Sequence, residues 1–231
     1  MTHLLYLYQS EPHDGAELRH SLRSVEKHLH LPDLTVTVVG DRPAWLTGVN
    51  HVPAENIHST KAANMAYKIW LGCCELEGVP EQVFYMEDDY ILLHEQSSVE
   101  AVYWGDLAVH IREVERFHRR GFWMSEAMRA SLRYLGDHPA PQSWEVHLPT
   151  PVVPADARPL IEPLARTGYP ALARSVWGTL TLTGQPGRDF RYEGTEPARS
   201  SATAPAWVST DDVVPRRIAE ALPEPSRWEK S

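Results

Sequence analysis

The order of apolar and polar positions predicts strands alternating with helices over the first part of the chain. His3 to Tyr8 reads as a short buried strand, and Leu18, Leu22, Val25 and Leu29 then recur at helical spacing. Leu34 to Val39 is a β-branched run stopped by Gly40-Asp41-Arg42-Pro43, the pattern of a strand followed by a turn. Asn50-His51-Val52 predicts a further short strand. From Thr60 to Glu77 the spacing of Met65, Ile69, Trp70, Cys73 and Leu76 predicts a helix, ended by Gly78-Val79-Pro80. Gln82 to Met86 is then a strand running into Glu87, Asp88 and Asp89. Such an alternation predicts an α/β fold with a mostly parallel sheet flanked by helices, whose ligands bind at the carboxyl ends of the strands. Tyr8, Asp41 and Glu87 should therefore share one edge.

Beyond residue 95 the pattern predicts helices within 105–120 and 123–135. Fourteen of the 19 prolines fall at or after Pro139, which favours loops and short elements over a second regular βα array. There is no internal repeat. The expected organisation is a nucleotide-binding half over 1–95, an irregular, proline-rich acceptor and catalytic half of the same domain over 96–221, and a tail over 222–231 that is exposed or packed on a partner.

Composition narrows the function classes. The chain has 231 residues, 42% apolar and 23% charged, as expected of an ordinary globular protein. Its formal charge of −9, from 22 basic and 31 acidic residues, repels polyanions and argues against sequence-independent duplex binding. The sequence carries neither a membrane-spanning apolar stretch nor a signal-peptide pattern, so a cytoplasmic protein is expected. The two cysteines, Cys73 and Cys74, are neighbours in a helical pattern; they suit buried free thiols rather than a disulfide or a zinc site.

Three segments could carry chemistry. Glu87, Asp88 and Asp89 sit between two apolar strand-like runs, where unpaired carboxylates are costly and a hard cation would satisfy them. In an extended segment Glu87 and Asp89 share a side and can jointly approach Mg²⁺ or Mn²⁺, although an acidic surface turn has the same composition. In Trp144 to Pro149, alternation would put Trp144 and Val146 on one face and Glu145 with His147 on the other. Ala206 to Asp212 is a short strand pattern ending in Asp211 and Asp212, which could equally cap a helix beginning near Val213. Positive charge for a diphosphate could come from Arg19, Arg23, Lys61 and Arg174; Arg19 and Arg23 are four apart on one helix. The run Arg112 to Arg120 is interleaved with acids and reads as a charged exterior.

Several of these pieces occur in a distinctive order. Glu17 to Val25, Thr35 to Leu46, Lys61 with Asn64, and Phe84-Tyr85-Met86-Glu87-Asp88-Asp89 resemble the ordered motifs of the Stealth-type sugar-phosphate transferases and related phage GT-A-like glycosyltransferases. His147-Leu148-Pro149 and Val208 to Asp212 are similar, more loosely, to downstream motifs of that group. The resemblance covers about residues 3–93. It implies a GT-A-like (Rossmann-like) fold, with Tyr8, Gln9, Ser10 and Asp41 holding a nucleotide and Glu87, Asp88, Asp89 and His147 holding Mn²⁺ or Mg²⁺. Lys61, Asn64, Arg174, Arg19 and Arg23 would complete the donor site. The donor would be a UDP- or GDP-linked sugar, and the acceptor a glycan, a protein or a modified base. Asp211, Glu145 or Asp212 would take the proton of the acceptor hydroxyl. Two departures stand out: the group usually has Asn-Asp-Asp where this chain has Glu87-Asp88-Asp89, and Leu5 to Ser10 replaces its Asp-rich opening motif. The expectation is thus a metal-dependent glycosyltransferase, possible as a homo-oligomer. Transfer of a sugar 1-phosphate, or binding without catalysis, are the alternatives.

Overall fold

The structure, a computed structural model, describes residues 1–10, 15–78, 82–117, 122–187, 192–193, 196–197, 207–209 and 216–230. The chain opens with β1 (Thr2–Tyr8), α1 (Ala16–His28), β2 (Leu34–Gly40), β3 (Asn50–Pro53), α2 (Lys61–Glu75) and β4 (Gln82–Glu87). Then come β5 (Tyr90–Leu92), β6 (Val102–Tyr103), β7 (Gly105–Asp106), α3 (Leu107–Phe117), α4 (Trp123–Leu135), β8 (Gln142–Ser143) and β9 (Thr150–Val152). The remainder holds α5 (Pro154–Thr167), α6 (Ala173–Thr181), β10 (Gln185–Pro186), β11 (Tyr192–Glu193), β12 (Glu196–Pro197), β13 (Trp207–Ser209) and α7 (Arg216–Ala221).

The central sheet has the order β3-β2-β1-β4-β9, with all pairings parallel except the antiparallel β4–β9 edge. Helices cover both faces, so every residue of β1 is buried and its side chains divide by alternation. Leu5 and Leu7 pack with Ile69 and Cys73 of α2 and with Ile161 and Leu164 of α5. Leu4, Tyr6 and Tyr8 pack with Leu18, Leu22 and Val25 of α1. Gly72 brings α2 close: a Cβ there would lie 2.6 Å from Leu5 Cδ1.

The proline-rich region departs from expectation. It forms two regular helices, α5 and α6, although α5 contains Pro154, Pro159 and Pro163. Pro154 sits in the first turn, where its missing N–H costs nothing. The two interior prolines each remove a helical hydrogen bond, and burial of Ala157, Ile161, Leu164 and Ala165 against α2 offsets that loss. Trp144 to His147 is not a strand; all four residues are buried, and α6 contacts the segment through Ser175, whose Oγ accepts from Trp144 N–H at 3.2 Å, and through Arg174, 2.9 Å from Glu145.

The tail is part of the domain. Leu222, Ser226 and Trp228 are buried, Thr47 N–H donates to Trp228 O at 2.8 Å, and Lys230 N–H donates to Trp45 O at 2.8 Å. Among the described residues no helix is long and apolar enough to cross a membrane.

Candidate functional site

The parallel register brings the strand ends together, pairing Tyr8 with Gly40 and Leu7 with Glu87. Tyr8, Asp41 and Glu87 consequently stand at one edge, as the strand order predicts. A cleft of about 510 Å³ opens there, lined by Tyr8, Gln9 and Ser10 after β1, by the start of α2, and by Glu87 and Asp88 after β4. Gly40 makes the junction possible. Its φ is 123°, and a Cβ would come within 2.0 Å of Tyr8 O.

The loop after β1 is fixed by the residue after β2: Ser10 N–H donates to Asp41 Oδ2 at 2.7 Å. That backbone hydrogen bond, with Lys68 nearby, holds the Asp41 carboxyl below the usual carboxylate range against the opposing effect of burial. Asn56 Nδ2 donates to Gln9 Oε1 at 2.9 Å and ties the far side of the cleft to the same loop.

Helix α2 begins at the cleft. Thr60 caps it by accepting from Ala63 N–H at 3.3 Å. Asn64 lines the cleft, but its amide is engaged: Oδ1 accepts from His58 N–H at 2.8 Å and Nδ2 donates to His58 O at 2.9 Å. Asn64 therefore shapes the loop. Lys61 also lines the cleft, with Nζ 5.0 Å from the centre of the Trp123 ring. Lys68, absent from the sequence-based candidates, lines it too and is only 5% exposed. Burial pushes its ammonium below the usual lysine range, and Asp41 and Asp88 partly offset this. The signal was a second lysine on one side of α2, seven residues after Lys61 and four after Asn64.

Behind the cleft lies a buried polar network centred on Arg174, which is 4% exposed. Its Nη2 lies 2.9 Å from Glu145 Oε2 and 3.2 Å from Glu87 Oε1, while Nη1 donates to Tyr90 Oη at 2.7 Å and Val146 O at 2.9 Å. Glu145 Oε1 accepts from the Ser175 hydroxyl at 2.8 Å and the Ser175 N–H at 3.2 Å. Burial raises the pKa of Glu87, but the charges of Arg174, His147 and Lys61 outweigh it, so the carboxyl titrates below its ordinary value.

Several expected roles change in this setting. Glu145 is buried and both its oxygens are taken, so it positions Arg174 and does not face the cleft as a base. Arg174 itself does not line the cleft; it acts on Glu87 from behind. Asp88 and Asp89 form a turn between β4 and β5, which ends the alternation that would put Glu87 and Asp89 on one side. Glu87 and Asp88 line the cleft and Asp89 does not. The His147 ring meets the Tyr90 ring edge-on, with centroids 6.2 Å apart. Arg19 and Arg23 face the tail: Arg23 forms a two-pronged pair with Glu229 at 2.7 and 2.8 Å, and Arg19 lies 3.7 Å from the same carboxylate and stacks over Trp45. Asp211 and Asp212 lie outside the described residues.

Among the described residues, no three His, Cys, Asp or Glu side chains are grouped so as to hold a metal ion. Mg²⁺ is commonly held by one or two carboxylates together with substrate phosphates. Glu87 and Asp88, as hard oxygen donors, fit a divalent ion only in that shared form. The thiols offer no substitute chemistry: Cys73 is buried, which pushes its pKa up to about 12, far from a reactive thiolate.

No family model matches the chain, and no curated protein matches its sequence. A solved structure of an active-site mutant of LgtC is similar in fold at 10% identity and a TM-score of 0.49, over 90% of this chain and 86% of that one.

Proposed function

We propose that the protein transfers a sugar from a nucleotide-activated donor, bound in the cleft at the carboxyl ends of β1, β2 and β4, to an acceptor hydroxyl. The observation that carries this reading is the convergence of two lysines from α2, Lys61 and Lys68, with the loops after three parallel strands on one cleft. Parallel α/β sheets bind nucleotides at this edge, and the lysines supply the positive charge that a departing diphosphate requires. The resemblance to the Stealth-type and phage transferases supports the same reading, since the loop after β1 and the acid after β2, here Tyr8, Gln9, Ser10 and Asp41, are where a GT-A-like fold would hold the nucleotide, although Leu5 to Ser10 replaces that group's Asp-rich opening motif.

The charge balance favours a divalent ion as part of the donor complex. Lys61, Lys68 and Arg174 face Asp41, Glu87, Asp88 and Glu145, so three cations meet four carboxylates before any phosphate arrives. Mn²⁺ or Mg²⁺ held by Glu87 and Asp88 would neutralise charge on the leaving nucleotide. Arg174 holds the Glu87 carboxylate in place and keeps it ionised, while Asp41 orders the Ser10 loop. With Glu145 committed to Arg174, Asp211 and Asp212 are the acids to test as the base.

A thermal-shift and product screen of UDP- and GDP-sugars with Mn²⁺ tests the reading. A raised melting temperature with one donor, and release of the nucleoside diphosphate on turnover, is the expected result. Release of the nucleoside monophosphate would instead establish transfer of a sugar 1-phosphate. Absence of any shift or release across the donors would overturn the proposal.

A further inference from the structure

One lip of the cleft is the connection between β3 and α2, which contributes Asn56, Ser59 and Thr60 to the lining. It has little of its own to hold it in place. Of residues 55–60 only His58 is not exposed, and Ile57 beside it is 58% exposed. A segment with few buried contacts keeps one arrangement only where something pins it.

His58 is held through its N–H, its carbonyl and its ring. The N–H donates to Asn64 Oδ1 at 2.8 Å and the carbonyl accepts from Asn64 Nδ2 at 2.9 Å, which fastens its backbone to α2. The side chain reaches the other way, to α5, with Nε2 2.7 Å from Ala165 O. A carbonyl can only accept, so Nε2 carries the proton. Ala165 stands in the last turn of α5, where a helix leaves its carbonyls without partners of its own, and the imidazole satisfies one of them. The end of α5 leaves room for the ring: Gly168 has φ 69°, and a Cβ there would lie 2.7 Å from His58 Nδ1. The Tyr67 ring meets the imidazole edge-on, with centroids 6.0 Å apart. From Gly168 the chain turns into α6, which carries Arg174, so the corner that receives the lip also leads into the helix that holds Glu87.

We infer that His58 is a positioning residue of the donor site. By latching the β3–α2 connection onto the end of α5, it keeps Asn56, Ser59 and Thr60 in the arrangement that receives the nucleotide before the nucleotide arrives. His58 itself does not line the cleft, so it acts through these neighbours. A loop ordered in advance does not subtract its ordering from the affinity. The inference rests on the nucleotide-sugar reading and adds to it a residue that does not touch the ligand.

The test compares the full chain with His58→Ala, His58→Gln and Gly168→Ala, by calorimetric titration with UDP and with GDP in the presence of Mn²⁺, and by amide hydrogen exchange without ligand. Glutamine keeps an N–H donor for Ala165 O, whereas alanine at 168 displaces the ring from the α5 side. His58→Ala should bind the nucleotide that wild type binds about tenfold more weakly, as when the receptive arrangement falls to about a tenth of the population. The amide at position 58 should exchange about tenfold faster in that variant. Gly168→Ala should show the same two losses, and His58→Gln should restore most of both. A histidine with a structural role alone would lower the melting temperature and leave the affinity of the folded protein unchanged, and that result overturns the inference. Unchanged exchange at position 58 in His58→Ala, or a glutamine variant as weak as the alanine one, overturns the latch through Nε2; in either case nucleotide binding by wild type leaves the nucleotide-sugar reading standing. If wild type binds neither nucleotide, that reading falls and takes the positioning role with it, whatever the exchange at position 58.

Discussion

Replacing Arg174 by methionine would show how much the buried network behind the cleft contributes. Methionine nearly matches the side chain in volume but removes the guanidinium that donates to Glu145, Tyr90 and Val146 and pairs with Glu87. Glu145, 5% exposed, would keep only its Ser175 contacts and would have lost its counter-charge. Breaking a buried pair from one side costs about 3–5 kcal/mol, a large part of the roughly 5–15 kcal/mol that stabilises a typical domain. With a urea slope of about 2–3 kcal/mol/M, the unfolding midpoint followed by tryptophan fluorescence should fall by about 1–2.5 M. The double variant Arg174→Met with Glu145→Met should recover much of the loss, because neither charge is then left alone. The pH dependence has a definite sign. Burial raises the Glu87 pKa, but Arg174 and its neighbours bring it below the unfolded value. Glu87 therefore stabilises the fold above the ordinary carboxylate range and loses that contribution as pH falls through its lowered folded value. Without Arg174 much of this contribution is gone, so the gap between variant and wild type should narrow below about pH 5. A loss under about 1 kcal/mol at pH 7 would refute the view that these carboxylates depend on Arg174.

Two further changes probe the frame around the site. Gly178→Ala places a Cβ 2.4 Å from Cγ of the fully buried Trp144, so it should cost about 1–3 kcal/mol and lower the melting temperature by roughly 2–4 °C per kcal/mol; an unchanged melt would mean that α6 can move away from that ring. Glu229→Ala removes the partner of Arg23 and should cost on the order of 1–3 kcal/mol, with faster amide exchange over 223–230. Burial raises the Glu229 pKa, but the hydrogen bonds from Arg23 and Ser226 bring it below its ordinary value, so the wild-type tail should loosen as pH falls through the carboxylate range and the variant should not share that dependence. Identical exchange in the two proteins would show that the other contacts of the tail hold it without Glu229.

The first half of the fold was legible because its signals are local. Alternation in β1 and β2, the 3.6-residue spacing of α1 and α2, and the breakers at Gly40 and Gly78 each depend on a few neighbours, and the rule for parallel strands then places Tyr8, Asp41 and Glu87 together. Partnership is not written locally. Glu145 reads as a candidate base because alternation puts it with His147 on one face, and only the packing of α6 brings Arg174 and Ser175 onto it. Arg19 and Arg23 matched a phosphate-binding helix face until the tail, some two hundred residues later, delivered Glu229 to them. The turn at Asp88 and Asp89 removed Asp89 from the face it would have shared with Glu87. The prolines of α5 were read as helix breakers, a local cost that burial against α2 exceeded. Lys68 carried only a faint mark, a lysine seven residues after Lys61 on one helix, and its significance depends on the cleft that three strand ends and α2 enclose. Short-range periodicity determines the elements, because each forms from the residues within it; the company a charge keeps depends on contacts between residues far apart in sequence, and only the folded chain decides those.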